Sequence, residues 1–235
     1  MHKKKIIPIV LHKVVESKCI DFEDITVATL RKILNKSPDS YVTINDVDEL
    51  STSSGKFMYM ITFDDGHVSD YKIVFQLLKS LDITATFFIN TNNIGKPGYL
   101  TWWMIKEMKS KGNVFGSHGH NHFKMTDISE EACRYEFLKS KEIYELHTGD
   151  IMKFFSFPYG AYNKNLLQLS KQYEYKNCFI SKHGVIYKIE NVIPRNSINC
   201  SMSQIDIAKI LNPSLTTIIK WKGEDLSKNF IKNVI

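Results

Sequence analysis

Short apolar runs alternate with amphipathic segments along this chain, and that alternation restricts its fold more than any other feature of the sequence. The runs are rich in β-branched and aromatic residues, which is typical of buried strands. They lie at 6–11, 58–63, 84–89, 114–115, 154–157 and 177–180. Between them, segments such as Asp70–Leu81 place apolar residues at helical spacing. Strands that alternate with helices predict βα units and a mostly parallel sheet, either a barrel or an open doubly wound sheet.

Helix boundaries are marked by start and stop residues. Thr26 is a candidate N-cap, and Gly112 and Gly149 follow two predicted helices. The predicted helices are 25–35, 70–81, 101–111, 129–147, 163–172 and 204–211, of which 204–211 is the last in the chain. The polar stretch from Pro38 to Gly55 predicts a loop.

The composition is that of one ordinary globular domain. The chain has 235 residues, of which 43% are hydrophobic and 24% are charged, and its net charge is +6. These values exclude a disordered chain, a fibrous repeat and a small disulfide scaffold, and we expect a single domain over residues 1–235. The charge is diffuse, so it does not require a nucleic-acid partner.

Cysteine usage and the N-terminal segment both favour a cytoplasmic protein. The four cysteines are far apart and form no C-x-x-C pair, which indicates free thiols in a reducing compartment. The apolar run Ile6–Leu11 is too short for a membrane span, contains Pro8 and lacks a cleavage site, so we interpret it as a strand. Basic patches at 3–5 and 220–222 are solvated faces that could also contact a membrane surface.

Polar residues follow four of the predicted strands. His12 follows the first, Asp64 and Asp65 follow the second, and two further clusters lie at 117–122 and 158–160. In barrels and in open parallel sheets alike, chemistry lies at the carboxyl ends of the strands. We therefore expect these clusters to meet at one end of the sheet.

Two of the clusters have the composition of a metal site with an adjacent base. Asp64 and Asp65 alone fit a simple turn. Two adjacent carboxylates at the end of a buried strand also repel each other and lose hydration, and a bound cation would offset that cost. His118 and His122 are four residues apart, a spacing that puts both on one face of a helix, while His120 would point elsewhere; the alternative is a solvated loop. Two imidazoles and one carboxylate leave metal positions open for water and substrate, and the second carboxylate is free to accept a proton.

Three motifs in this order resemble those of a known family. Thr62–Gly66 resembles the first motif of the polysaccharide deacetylases, the NodB-homology domain of carbohydrate esterase family four. His118–His122 is similar to the second motif, with Gly119 at a Ser/Thr position, and Phe157–Gly160 resembles part of the third. The resemblance implies an α/β fold, a NodB-like incomplete or distorted (β/α) barrel with roughly seven mostly parallel strands.

The resemblance also implies a role for each matching residue. Asp64 would be the general base. The ligands of a divalent metal, most commonly zinc with cobalt, nickel or iron also accepted, would be Asp65, His118 and His122. The backbone N–H of Tyr159 would stabilise the oxyanion, in a loop shaped by Pro158 and Gly160.

Three further residues complete the predicted site. Ile9–Val14 resembles the N-terminal segment of the exopolysaccharide-modifying branch, which implies that His12 is the general acid. The third motif of the family carries an Arg where this chain has Ser156, and by its position Arg195 could replace that guanidinium. Trp103 could wall the acetyl pocket or stack on a sugar, or it could pack its helix on the barrel.

The sequence thus predicts a metal-dependent hydrolase that removes N-acetyl groups from an amino-sugar glycan or a lipid-linked precursor and releases acetate. O-deacetylation, hydrolysis of another linear amide and non-catalytic glycan binding are the alternatives. We expect no nucleic-acid partner and no transmembrane segment. The sequence does not indicate which sugar is bound or which oligomer forms.

Overall fold

The computed structural model describes residues 5–46 and 57–232, with side chains as far as residue 223. The strands in these ranges are β1 (Lys5–Leu11), β2 (Val14–Val15), β3 (Ile25–Thr26), β4 (Phe57–Phe63), β5 (Thr86–Ile89), β6 (Val114–Ser117), β7 (Phe154–Ser156), β8 (Asn177–Ser181) and β9 (Val192–Ser197). The α-helices are α1 (Val27–Ile33), α2 (Gln76–Ser80), α3 (Trp102–Ser110), α4 (Glu130–Thr148), α5 (Lys164–Gln172), α6 (Gln204–Leu211) and α7 (Leu215–Lys232). A π-helical turn, Asp70–Phe75, leads directly into α2.

Seven of these strands form a closed, all-parallel barrel in the order β1-β4-β5-β6-β7-β8-β9, which confirms the predicted (β/α) barrel. The barrel is closed rather than incomplete, but its closure is short. β1 pairs with β4 through seven residues and with β9 through two, Ile9 with Asn196 and Val10 with Ser197. The short strands β2 and β3 form a separate parallel pair.

Strand alternation explains why the apolar runs are nearly continuous. Every second side chain points into the barrel, where one cluster joins residues of six strands: Ile6, Met60, Phe88, Phe154, Phe179 and Ile193. The intervening residues point outward and belong to the core shared with the helices, as do Ile61 and Phe87. Strands covered on both faces require apolar residues at both phases. Burying each large side chain contributes roughly 1.5–3 kcal/mol.

The helices begin at residues that the sequence identifies. Thr26 caps α1 by accepting a hydrogen bond from the backbone N–H of Thr29, as predicted. The caps of α3, α4, α5 and α6 are Thr101, Ser129, Asn163 and Ser203. Each such cap typically contributes about 1 kcal/mol. α4 ends at Gly149, whose φ of 76° is the left-handed conformation that glycine tolerates best.

The end of the chain differs from the sequence prediction. The prediction that 204–211 is the last helix is wrong, because α7 follows after a break at Pro213. Ser214 starts this helix by accepting a hydrogen bond from the N–H of Thr217. Of the predicted loop 38–55, residues 47–55 lie outside the described residues, and Pro38–Ser40 forms a single 3-10 turn. Within the ranges that the structure describes, no helix combines the length and apolarity that crossing a membrane requires.

Candidate active site

Asp64 and Arg195 form a buried ion pair at the carboxyl end of the barrel. Their side chains are 2% and 0% exposed. Nη1 of Arg195 donates to Oδ1 of Asp64 at 2.7 Å, and Nη2 donates to Oδ2 at 2.7 Å. Below the pair, the guanidinium lies over the rings of Phe88 and Phe179. This bidentate contact fixes the orientation of the Asp64 carboxylate.

Ser156 occupies the space beside this pair. Its hydroxyl donates to Oδ2 of Asp64 at 3.0 Å and accepts from Nη2 of Arg195 at 2.7 Å. Arg195 also donates to the hydroxyl of Thr62 at 3.0 Å. A serine at this position therefore completes a hydrogen-bond network around a guanidinium that comes from β9.

The surroundings of Asp64 keep it ionised. Burial raises its pKa, but the charge of Arg195, followed by that of His118, outweighs burial, so the pKa lies below its usual range. The carboxylate of Asp64 is therefore an anion at neutral pH, available to accept a proton.

Asp65 turns away from Asp64 because its backbone is left-handed, with a φ of 77°. Its Oδ1 lies 3.6 Å from Nε2 of His118 and 3.2 Å from Nε2 of His122. That oxygen is buried and has no hydrogen-bond partner among the described residues. One ligand atom from each of the three residues lies within 4.8 Å of the others. An orphaned carboxylate oxygen facing two imidazole nitrogens fits a divalent cation.

Hydrogen bonding sets which nitrogen of His118 faces this cluster. Its Nδ1 lies 2.8 Å from the carbonyl oxygen of Ser156, which can only accept, so Nδ1 carries the proton. Nε2 is then unprotonated, and its lone pair faces Asp65 and is available to a metal ion. Burial lowers the pKa of His118 to about 4, so the ring is neutral at physiological pH and able to bind a metal.

The segment that carries the histidines is not a helix, so the predicted helical face shared by His118 and His122 is wrong. Left-handed residues bend the backbone instead, with φ of 79° at Gly119 and 62° at His122. Glu136, buried on α4, fixes this bend: its Oε2 accepts from the N–H groups of His120 and Asn121 at 2.7 and 2.8 Å. The bend brings the ring centroids of His118 and His122 to 4.9 Å from each other.

His12 and His67 each pair with an acid at this end of the barrel. Nε2 of His12 lies 3.7 Å from a carboxylate oxygen of Glu23. One ligand atom each of His12, Glu23 and Asp65 lie within 4.8 Å of one another, so these residues form a second group that could hold a metal ion. Nε2 of His67 lies 3.6 Å from Oδ2 of Asp65. Burial raises the pKa of Asp65, but its hydrogen bond with His67 and the charge of His118 outweigh burial and lower it.

A cavity of about 210 Å³ lies between several of the predicted residues. It is lined by His12, Glu23, Asp64, His118, His122, Tyr159, Ser181 and Ser197. The ring of Tyr159 lies 4.9 Å from that of His122 and is 66% exposed. Pro158 is buried behind it. Gly160 has a φ of 63°, and a Cβ there would lie 2.7 Å from the backbone nitrogen of Ser181, so only glycine fits.

Trp103 is not among the residues that line this cavity. It lies in the first turn of α3, is 64% exposed and meets Tyr71 edge-on at 5.6 Å. Its neighbour Trp102 stacks on His147 at 4.3 Å. In this structure both rings pack on neighbouring helical segments, and a role of Trp103 in sugar binding stays a prediction.

Sequence reasoning missed three residues that support the site, namely Glu23, His67 and Glu136. Glu136 could have been found, because it is an acid on the face of α4 that otherwise buries Cys133, Phe137 and Tyr144. His67 follows the Asp-Asp-Gly turn, which brings its ring back toward Asp65. Glu23 lies in an irregular loop, so its sequence carries no comparable signal.

Comparison with known proteins identifies the class to which this chain belongs. Residues 51–178, more than half of the chain, match the sequence profile of the family described as polysaccharide deacetylase. The chain belongs to the polysaccharide deacetylase family.

The curated relatives include deacetylases of two kinds of bacterial glycan. The peptidoglycan-N-acetylmuramic acid deacetylase PdaA of Bacillus subtilis is 24% identical, with 75% of this chain and 68% of that protein covered. The poly-beta-1,6-N-acetyl-D-glucosamine N-deacetylase of Staphylococcus epidermidis is 26% identical, with coverage of 72% and 60%. Two other relatives are matched over 42% and 52% of their length, so the chain spans about half of these curated proteins.

Solved structures share the fold. The deacetylase PplD of Streptococcus pyogenes, determined in complex with acetate, superposes with a TM-score of 0.77 at 22% identity, covering 90% of this chain and all of that one. IcaB of Ammonifex degensii gives a TM-score of 0.76 at 19% identity, covering 88% and 97%. At these identities the likeness establishes the barrel.

Proposed function

We propose that this protein is a metal-dependent N-deacetylase that hydrolyses the acetamido group of an amino-sugar glycan and releases acetate. The observation that carries the proposal is the orphaned Oδ1 of Asp65 facing two imidazole nitrogens, with the clamped carboxylate of Asp64 beside it. Oδ2 of Asp64 lies 3.7 Å from Nε2 of His118, and the candidate base lines one cavity with both imidazole ligands, His118 and His122.

Asp65, His118 and His122 would hold the metal. A divalent cation there would supply Lewis acidity, which polarises an acetyl carbonyl and lowers the pKa of water. Zinc accepts two imidazoles and a carboxylate, as do cobalt, nickel and iron. The neutral state of His118 and the ionised state of Asp65 mean that neither ligand needs to lose a proton first.

Asp64 would accept the proton of the attacking water. Its carboxylate is held at both oxygens by Arg195, so it keeps one orientation relative to the cavity. Removing a water from bulk solvent and holding it against a fixed base contributes through proximity and through proton transfer. In this proposal Arg195 is a positioning residue.

His12 would donate a proton to the departing amine. It follows β1, it lines the same cavity as Asp64, and its Nε2 lies 3.7 Å from the carboxylate of Glu23. The carboxylate of Glu23 would orient the ring of His12. The backbone N–H of Tyr159, in the turn fixed by Pro158 and Gly160, would donate to the oxyanion of the acetyl group.

The names of the relatives support an N-acetylated bacterial glycan, such as peptidoglycan or poly-N-acetylglucosamine, as the substrate class. A lipid-linked saccharide precursor belongs to the same class, because it presents the same acetamido group. Action in the cytoplasm, expected from the sequence, remains part of the proposal.

The test is acetate release from N-acetylglucosamine oligomers and from acetylated wall glycans, measured before and after treatment with a chelator and after re-addition of Zn²⁺ or Co²⁺. We expect chelation to abolish release and the metals to restore it. Asp64→Asn should abolish turnover while retaining metal, and Asp127→Asn, at an exposed acid, should leave both unchanged.

Three other results of this experiment would contradict the proposed activity. Release that persists after complete removal of metal contradicts the metal-dependent mechanism. Faster release from O-acetylated than from N-acetylated oligomers assigns the protein as an esterase. Glycan binding without hydrolysis, in a protein loaded with metal, identifies a non-catalytic homologue.

A further inference from the structure

Two cysteines from opposite ends of the chain lie next to each other beside the cavity. Cys19 belongs to the loop between β2 and β3, and Cys200 lies in the turn after β9. The N–H of Cys200 donates to the carbonyl of Phe22 at 3.3 Å, and its thiol donates to that of Asp21 at 3.5 Å. The thiol of Cys19 donates to the carbonyl of Asp24 at 3.6 Å.

The two thiols donate to carbonyl oxygens three residues apart on one loop, those of Asp24 and Asp21. Burial, followed by the charge and the hydrogen bond of Cys200, raises the pKa of the Cys19 thiol. The remaining cysteines are in a different situation: Cys133 is buried and donates to the carbonyl of Met125, and Cys178 is buried against Ser170. Cys19 is half-buried and Cys200 is exposed, so a small reagent can reach the first pair and not the second.

The loop that carries Cys19 is internally braced. The buried carboxylate of Asp24 accepts hydrogen bonds from the N–H groups of Ile20 and Asp21 at 2.8 and 3.0 Å. This loop also presents Glu23 to His12. On the other side, Ser197 lines the cavity three residues before Cys200. A bond between the two sulfurs would therefore tie together two walls of the cavity.

We propose that Cys19 and Cys200 form a reversible intramolecular disulfide by exchange with a low-molecular-weight disulfide. The thiolate of Cys200 attacks one sulfur of glutathione disulfide and expels one glutathione. The thiolate of Cys19 then attacks the sulfur of Cys200 in this mixed disulfide and expels the second glutathione. The protein loses two protons, and its two electrons reduce glutathione disulfide to two thiols.

The experiment exposes the reduced full-length protein to excess glutathione disulfide, blocks the remaining thiols by alkylation and analyses the intact mass and a non-reducing peptide digest. We expect the intact chain to lose the mass of two hydrogens, to carry no glutathione, and to yield one peptide pair joined through Cys19 and Cys200. Dithiothreitol should restore both thiols. The double variant Cys133→Ala/Cys178→Ala should give the same crosslink.

The single variants separate the two exchange steps. Cys19→Ser should stop at a glutathione adduct on Cys200, because the resolving thiol is missing, and Cys200→Ser should form no crosslink. A glutathione adduct that persists on Cys200 of the parent protein would show that the sulfurs cannot reach bonding distance, and it would overturn the proposal. A crosslink between two chains, or one through Cys133 or Cys178, would overturn it as well. The readout is covalent, so it does not depend on the proposed hydrolase activity.

Discussion

At the scale of single residues, Arg195 controls the charge state of the predicted base. Its guanidinium is the nearest positive charge to Asp64, and both side chains are buried. Removing it leaves a desolvated carboxylate without its counter-charge, and burial then raises the pKa.

We predict that Arg195→Ala moves the acidic limb of the pH–activity profile to higher pH. The sign follows from the pKa of Asp64, which lies below its usual range in the parent and rises when the arginine is lost. Breaking a buried pair should also lower the free energy of unfolding by about 3–5 kcal/mol. Arg195→Lys, which keeps the charge, should shift the profile less.

The measurement is the pH dependence of kcat/KM, with urea unfolding as the stability readout. Arg134→Ala removes an arginine from an exposed ion pair and is the matched control. An unchanged acidic limb in Arg195→Ala, in a folded protein, would contradict the role of Arg195 as partner of the base.

Asp70 is a second buried acid, and unlike Asp64 it has no cation beside its carboxyl group among the described residues. Neither of its carboxylate oxygens has a hydrogen-bond partner in the described part of the chain. Burial, and then the charges of Asp65 and Asp64, hold its pKa well above the usual range. The folded protein therefore keeps a proton on Asp70 that the unfolded chain releases, and stability falls as pH rises above the ordinary aspartate pKa.

We predict that Asp70→Asn becomes increasingly stabilising, relative to the parent, between about pH 4 and about pH 8. Near the lower value the acid is largely neutral in both states, so the amide changes little. Urea unfolding in the presence of a chelator measures the effect without a bound cation. Asp39→Asn, at an exposed position, should show no such trend, and an equal effect of Asp70→Asn at both pH values would contradict the assignment.

At the scale of elements, α4 supports the histidine loop through Glu136. The carboxylate accepts from two backbone N–H groups and from Nδ2 of Asn121 at 2.7 Å. These bonds stabilise a bend that contains two left-handed residues, Gly119 and His122. The position of the second imidazole thus depends on a helix residue that does not contact it directly.

We predict that Glu136→Gln weakens Zn²⁺ binding by about 10–100-fold, the range found when groups that orient metal ligands are changed. The amide keeps the size of the side chain but replaces one acceptor by a donor facing a backbone N–H. Competition with a chromophoric chelator measures the affinity. Glu131→Gln, exposed on the same helix, is the control, and unchanged affinity in folded Glu136→Gln would refute the prediction.

The elements also show what could be predicted from the sequence. Apolar runs predicted the strands, and the candidate cap Thr26 marked the start of α1, because burial and capping depend on local residue type. The bend at 118–122 was predicted as helical, since residue spacing cannot reveal a left-handed φ at a histidine. α7 was not predicted, although Leu215, Ile218 and Ile219 stand at helical spacing in it. Arg195 was predicted from its position at a neighbouring strand end, and the closed barrel brings its guanidinium to Asp64.

At the scale of the whole molecule, the barrel closes where two prolines interrupt the hydrogen-bond ladders. Pro8 in β1 and Pro194 in β9 have no N–H to donate. The side chain of Asn196 compensates: its Nδ2 donates to the carbonyls of Pro8 at 2.9 Å and of Gly184 at 2.8 Å. Its Oδ1 accepts from the N–H of Gly184 at 3.1 Å.

We predict that Asn196→Ala lowers the free energy of unfolding by roughly 2–3 kcal/mol, because it leaves buried backbone groups without partners. Activity should fall with stability, since both walls of the cavity adjoin this closure. Urea unfolding and acetate release measure the two effects. Asn191→Ala, on an exposed side chain, is the control, and equal stability of the two variants would contradict this account of closure.

The two residue pairs between β1 and β9 have a mechanical consequence. The predicted acid, His12, follows one of these strands, and Arg195, which holds the predicted base, lies in the other. A short strand pairing therefore separates the predicted acid from the residue that holds the predicted base. If β1 and β9 moved apart, the distance between His12 and Arg195, which holds the carboxylate of Asp64, would increase while the other strand pairs stayed in place. A sugar that contacts both strands would hold the predicted acid and the partner of the predicted base at a fixed separation.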